Sequence, residues 1–264
     1  MNIVRLLLLG SVMVVNMGLC SCKDKVINPG NSEKIVGNYR VTPYIMDSLR
    51  ARGCFAAFLF DGTGYDYADS GNSITEYGGC QMCPDRFERE SKAVMMSGKN
   101  SFCVIPSTIE KYLNINQGDF TISVWVRTSD TSIGDDIDYA KHIVSAGEPF
   151  KKGLSLFLYN GRAGVSVGSS RFGLPPEMST NINDNNWHHI AAVRSNGNVG
   201  LFVDNVLQYN YLCTDSIIVD GTVYVGRNSA KEIGFFKGEL DELLLLNTAL
   251  SKRDISFIAS QRVK

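Results

Sequence analysis

Residues 119–127 alternate: Phe120, Ile122, Val124 and Val126 fall on one side, Thr121, Ser123, Trp125 and Arg127 on the other. Successive side chains of a strand point to opposite faces, so this stretch predicts a strand with one face toward a core. Residues 154–159, 163–167, 187–194 and 199–203 repeat the pattern. Asn196-Gly197 and Asp204-Asn205 separate the last strands, and both pairs tolerate the positive φ that a two-residue hairpin turn requires. Only residues 251–261 read as a helix. Ser251 and Asp254 form a capping box there, while Ile255, Ile258 and Ala259 share one face. Ten or more short strands with one terminal helix predict an all-β chain, built as a two-sheet antiparallel sandwich with a short C-terminal helix.

Composition agrees. With 44% apolar residues among 264, the chain can bury a large core, and 20% charged residues with 25 glycines exclude a disordered chain, a collagen or a membrane bundle. The 26 basic residues are scattered and the net charge is −1, so no basic stripe marks a nucleic-acid partner.

The N-terminus reads as an address. One arginine precedes an apolar run over residues 6–19, which is shorter than the roughly 20 residues of a spanning helix and suits a signal-peptide core. Leu19-Cys20-Ser21-Cys22 follows and resembles the lipobox of bacterial lipoproteins, with Cys22 as the lipidated residue because Ser21 before it is small. Lys23-Asp24-Lys25 resembles the charged stretch that routes some Bacteroidetes lipoproteins to the cell surface. The expected organisation is a signal peptide over 1–21, a lipidated cysteine and tether over 22–52, and a folded domain over 53–264. The resemblance places the chain in the bacterial cell envelope, held at the outer membrane by lipid alone.

Five blocks in order resemble the laminin-G-like jelly rolls of the concanavalin A-like lectin/glucanase superfamily. They are Phe58-Leu59-Phe60-Asp61-Gly62 with Asp69-Ser70-Gly71-Asn72, then Asp119-Phe120-Thr121-Ile122-Ser123-Val124-Trp125-Val126. Trp187-His188-His189-Ile190-Ala191, Leu201-Phe202-Val203-Asp204-Asn205 and Phe236-Lys237-Gly238-Glu239-Leu240-Asp241-Glu242 complete the set. The resemblance implies a jelly-roll sandwich that binds a glycan or polysaccharide, or alternatively a surface protein. It also implies one structural calcium ion, with Asp69 and Asp241 as matching ligands and Asp61 or Asp66 as further options; carboxylates are the hard oxygen donors such an ion takes.

Some relatives in the superfamily are glycoside hydrolases, which need two carboxylates roughly 5 to 5.5 Å apart for retaining chemistry. Glu239-Leu240-Asp241 begins such a strand, but Leu243 and Leu244 stand where a third carboxylate belongs, so catalysis is not expected. His142, His188 and His189 read as structural. Trp125 and Trp187 are large enough to fill a core. Ligand contacts are expected instead from loop and edge residues: Tyr65, Tyr67, Tyr77, Arg171, Phe172, Tyr209 and Tyr211. Removing Cys20 and Cys22 leaves Cys54, Cys80, Cys83, Cys103 and Cys213. An oxidising envelope predicts disulfides among Cys54, Cys80, Cys83 and Cys213, with Cys103 unpaired in its strand.

Overall fold

The computed structural model describes residues 26–27, 33–34, 43–68, 73–106, 117–134, 136–172, 179–219 and 222–260. The signal peptide, Cys20, Cys22, residues 23–25 and Asp69 lie outside them. A small ribbon pairs β1 (Val26–Ile27) with β2 (Glu33–Lys34), and helix α1 (Pro43–Ala51) follows. Then come β3 (Cys54–Phe58), β4 (Glu76–Gly78), β5 (Gln81–Cys83), β6 (Ala93–Ser97), β7 (Phe102–Ile105) and β8 (Phe120–Arg127). The second half holds β9 (Lys141–Ala146), β10 (Leu154–Tyr159), β11 (Arg162–Val167), β12 (Ser170–Phe172), β13 (Trp187–Ser195) and β14 (Asn198–Val203). It closes with β15 (Val206–Leu212), β16 (Val223–Val225), β17 (Lys237–Leu246) and helix α2 (Lys252–Ala259).

Two antiparallel sheets stack face to face. One has seven strands in the order β12-β11-β10-β9-β16-β7-β4. The other has eight, β15-β14-β13-β8-β17-β6-β5 with β3 paired to β17. The strand order crosses repeatedly between sheets, the pattern of a jelly-roll sandwich. The Phe120, Ile122, Val124 and Val126 row points into the space between the sheets, where it meets Leu156, Val165, Val223, Val225, Leu240 and Leu243. Hairpin geometry follows the turn residues: Asn196-Gly197 and Asp204-Asn205 both have positive φ at both positions. Ser251 caps α2 by accepting from Asp254 N, and the Asp254 side chain accepts from the Ser251 backbone.

A second apolar layer covers part of the outer face of the eight-stranded sheet. Met46 and Leu49 of α1 and Ile255 and Ile258 of α2 pack there on Ala57, Leu59, Ala191, Val193, Leu244 and Leu246. Helix α1, which the sequence reading places in the tether, is thereby packed against the sheet. The two helices cover one end of that face and leave the other for polar side chains.

A candidate glycan groove on the outer sheet face

The uncovered end is organised by strand register. Trp187 pairs with Arg127, Arg127 with Glu239, Glu239 with Met95, and Met95 with Gln81. Five side chains therefore stand in one rung across β13, β8, β17, β6 and β5. At about 4.8 Å between strands, the four gaps span about 19 Å. A cavity of about 300 Å³ opens over this rung, with Gln81, Met95, Arg127 and Glu239 in its wall and Ser97, Thr128, Asn185 and Lys237 around it. Arg127 Nε donates to Glu239 Oε2, and the guanidinium carbon sits 5.1 Å from the centre of the Trp187 ring. The hydrogen bond to Glu239 raises the pKa of Arg127, against a smaller opposing effect of burial. Gly238 has φ +147, and a Cβ there would clash with the Arg127 carbonyl oxygen, so glycine is what lets β17 approach β8 at the groove.

The adjacent rung is sealed. His189 pairs with Trp125 and Trp125 with Asp241. The register shifts between Asp241 and Leu244, where Glu242 takes φ 47. This β-bulge turns Glu242 to the same side as Asp241. Both carboxylates face Arg86, at 3.4 Å and 3.0 Å from its Nη1, and all three side chains are no more than 5% exposed. Arg86 lies over the Phe87 and Trp125 rings, 4.6 Å and 4.4 Å from their centres. Its loop is built on buried Asp85, whose Oδ1 accepts from Phe87 N and Arg89 N and whose Oδ2 accepts from Arg89 Nε. His189 Nε2 meets Ser123 Oγ at 2.8 Å, and burial pushes this histidine down to about 3.

Several expectations change here. Trp125 and Trp187 are not in the inter-sheet core; each is partly buried on the outer face, beneath an arginine. The alternation in residues 119–127 already put Trp125 with Thr121, Ser123 and Arg127, opposite the apolar row. Glu242 supplies the third carboxylate that the sequence pattern lacked, through a bulge that no residue type announces. Arg127, Gln81 and Met95 line the groove and Arg86 closes the rung beside it, none of them among the expected contacts; strand alternation is the available signal for Arg127.

The expected ligand contacts do not converge. Tyr209 is 6% exposed and belongs to the inter-sheet core, because it stands on the inward side of β15, which corrects its expected role. Tyr211 on the same strand is exposed. Tyr77 on β4 and Arg171 with Phe172 on β12 sit at opposite edges of the seven-stranded sheet. Arg171 lies over Phe150, and Tyr65 and Tyr67 pack edge to face in the loop after β3.

Three of the expected calcium ligands, Asp61, Asp66 and Asp241, have protein partners. Asp241 faces the Arg86 guanidinium, a cation already in place. Asp61 accepts from Thr63 and from the Tyr67 hydroxyl, and Asp66 Oδ1 accepts from Ala57 N and Ala68 N. No three His, Cys, Asp or Glu side chains among the described residues are grouped to hold a metal ion. Asp69, the other ligand that the resemblance implies, lies outside the described residues. Cys54, Cys80, Cys83, Cys103 and Cys213 are free thiols.

A family model described as the concanavalin A-like lectin/glucanases superfamily matches residues 98–256. No curated protein matches the chain. Among solved structures, the binding domain of Paraclostridial Mosquitocidal Protein 1 superposes with TM-score 0.63 at 16% identity, covering 80% of this chain and 52% of that one. A structure of botulinum neurotoxin type C, described as entering cells through two ganglioside molecules, gives TM-score 0.61 at 13% identity over 81% and 52%. Domain 4 of AbnA, a GH43 extracellular arabinanase from Geobacillus stearothermophilus in complex with arabinotriose, gives 0.54 at 16% over 79% and 98%. The chain spans about half the length of the two toxin structures. At these identities the likeness is one of fold.

Proposed function

Because the chain belongs to the concanavalin A-like lectin/glucanases superfamily, we propose that it is a non-catalytic, lipid-anchored envelope module that binds a glycan in the groove over the Trp187–Gln81 rung. The carrying observation is that rung: a row about 19 Å long that presents a guanidinium, a carboxylate, an amide and an apolar thioether at one level. Sugar rings offer hydroxyls to the polar groups and C–H faces to the apolar ones. The AbnA domain that shares the fold is in complex with arabinotriose, and cell entry of the neurotoxin is described as dependent upon interaction with two ganglioside molecules. Anchoring rests on the lipobox-like Leu19-Cys20-Ser21-Cys22.

The same geometry argues against hydrolysis. A glycosidase needs an acid and a second carboxylate that both reach the scissile bond. Asp241 and Glu242 are buried under Arg86, and Glu239 is bound by Arg127. Among the described residues that line the groove, Glu239 is the only carboxylate.

A glycan array probed with the 43–264 chain tests the reading. Binding by the wild type should fall at least tenfold in Arg127→Ala, which removes the central donor of the rung, while neither protein releases reducing sugar. No bound glycan on the array, or equal binding by the variant, would sink it. A protein partner is the second reading, favoured by Val206, Leu207 and Leu212, which stand 61%, 47% and 70% exposed on β15. The calcium ion that the resemblance implies is tested by EGTA: a lower melting midpoint supports it, and an unchanged midpoint would sink it.

A further inference from the structure

The inter-sheet core carries a pair of thiols that glycan binding does not use. Strand β4 ends at Gly78 in the seven-stranded sheet and β5 begins at Gln81 in the eight-stranded sheet, so Gly79 and Cys80 form the crossing between them. Cys80 packs against the inter-sheet core. Cys83 instead sits among Glu239, Arg127, Asp241 and Asp85 at the outer face. The two cysteines of the Cys80-Gln81-Met82-Cys83 stretch are thereby turned to opposite faces of the eight-stranded sheet. The neighbour of Cys80 is a residue of another strand: its Sγ lies 3.8 Å from Cys103 Sγ on β7. The Phe102 carbonyl oxygen, 3.3 Å from the Cys80 sulfur, holds that side chain toward Cys103. A disulfide bond is about 2.05 Å long, so the sulfurs must close by less than about 2 Å, within reach of side-chain rotation on adjoining backbone.

We propose that Cys80 and Cys103 are a disulfide-forming pair, oxidised by a disulfide-bearing oxidant such as glutathione disulfide or a thiol oxidoreductase. Cys103 is fully buried and Cys80 is partly exposed, which orders the steps. The Cys80 thiol loses its proton to water, and its thiolate attacks one sulfur of the oxidant. A mixed disulfide forms, and the oxidant's other sulfur leaves as a thiolate. Cys103 then loses its proton and attacks Cys80 Sγ, the mixed bond breaks, and the remaining half of the oxidant departs as a second thiolate. The protein gives up two electrons and two protons, and the oxidant's disulfide becomes two thiols. The hydrogen bond from Cys103 lowers the Cys80 thiol and raises Cys103, with burial raising Cys103 further, so Cys80 is the thiol that attacks first.

The test is peptide mapping without reduction. Full-length protein is equilibrated with a glutathione disulfide and glutathione mixture, its remaining thiols are blocked with iodoacetamide, and the protease digest is read by mass spectrometry. The expected product is a peptide joining Cys80 to Cys103 that disappears after dithiothreitol, with Cys54 and Cys213 alkylated. Cys103→Ser should accumulate glutathione on Cys80. Alkylation of both Cys80 and Cys103, or a bond from Cys80 to any other cysteine, overturns the proposal. The wild-type map decides even if the Cys103 variant does not fold.

Discussion

Arg86 neutralises two carboxylates that the fold has turned to the same side of β17. Asp241 and Glu242 are 0% and 1% exposed, and the guanidinium that faces them is 5% exposed between two aromatic rings. Breaking a buried ion pair from one side costs more than the pair contributes, because the remaining charges lose solvent and partner together. Arg86→Ala is therefore expected to destabilise the domain by about 3 to 5 kcal/mol. Urea unfolding at pH 7 measures it, and a loss under about 1 kcal/mol would mean that water replaces the guanidinium. Nothing in the Arg86-Phe87 stretch announces this role in the sequence, since an arginine beside Pro84 and Asp85 reads as loop. The partner comes from a strand more than a hundred and fifty residues away, and long-range pairing of this kind leaves no local pattern.

At the level of elements, β17 is where the sequence signal and the structure diverge most. Its apolar side was legible: Leu240 and Leu243 enter the inter-sheet core. Strict alternation would place residue 243, not 242, beside Glu239 and Asp241. The bulge adds one residue, and Leu244 then resumes the outward side under α1 and α2. Strand β8 shows the opposite case. Its alternation was plain in the sequence, and it was the bulk of Trp125 that suggested core packing, although Trp125 shares its side with Arg127. Register outweighs side-chain size in deciding a face. The hairpins were legible because Asn196-Gly197 and Asp204-Asn205 carry the backbone requirement in the residues themselves. Gly238 carries a similar requirement on β17. Gly238→Ala must relieve a clash with the Arg127 backbone while holding φ +147, so it is expected to cost about 1 to 3 kcal/mol and to weaken glycan binding with it. Thermal melts and array binding of that variant check both; full retention of both would mean that β17 has room to shift.

For the whole molecule, the buried histidines set the response to acid. Burial pushes His142 down to about 3, and burial with the nearby Arg86 charge does the same to His189. In the unfolded chain both return to about 6.5. Above that pH they are neutral in both states and cost nothing. Below it the unfolded chain binds protons that the folded one refuses, so stability falls as pH drops from about 6.5 toward 3, by up to about 1.4 kcal/mol per pH unit for each histidine. His188 opposes this trend. Burial lowers its pKa, but hydrogen bonds to Asp204 and Asp184 outweigh it and leave the pKa raised. A raised histidine contributes stability below its unfolded pKa and loses it as pH climbs through the folded one. Two depressed histidines against one raised leave a net loss in acid. Urea midpoints should therefore decline between pH 7 and pH 4.5, and His188→Asn should steepen the decline. A flat profile would mean that His142 and His189 find water when protonated, through openings in the layers that now enclose them.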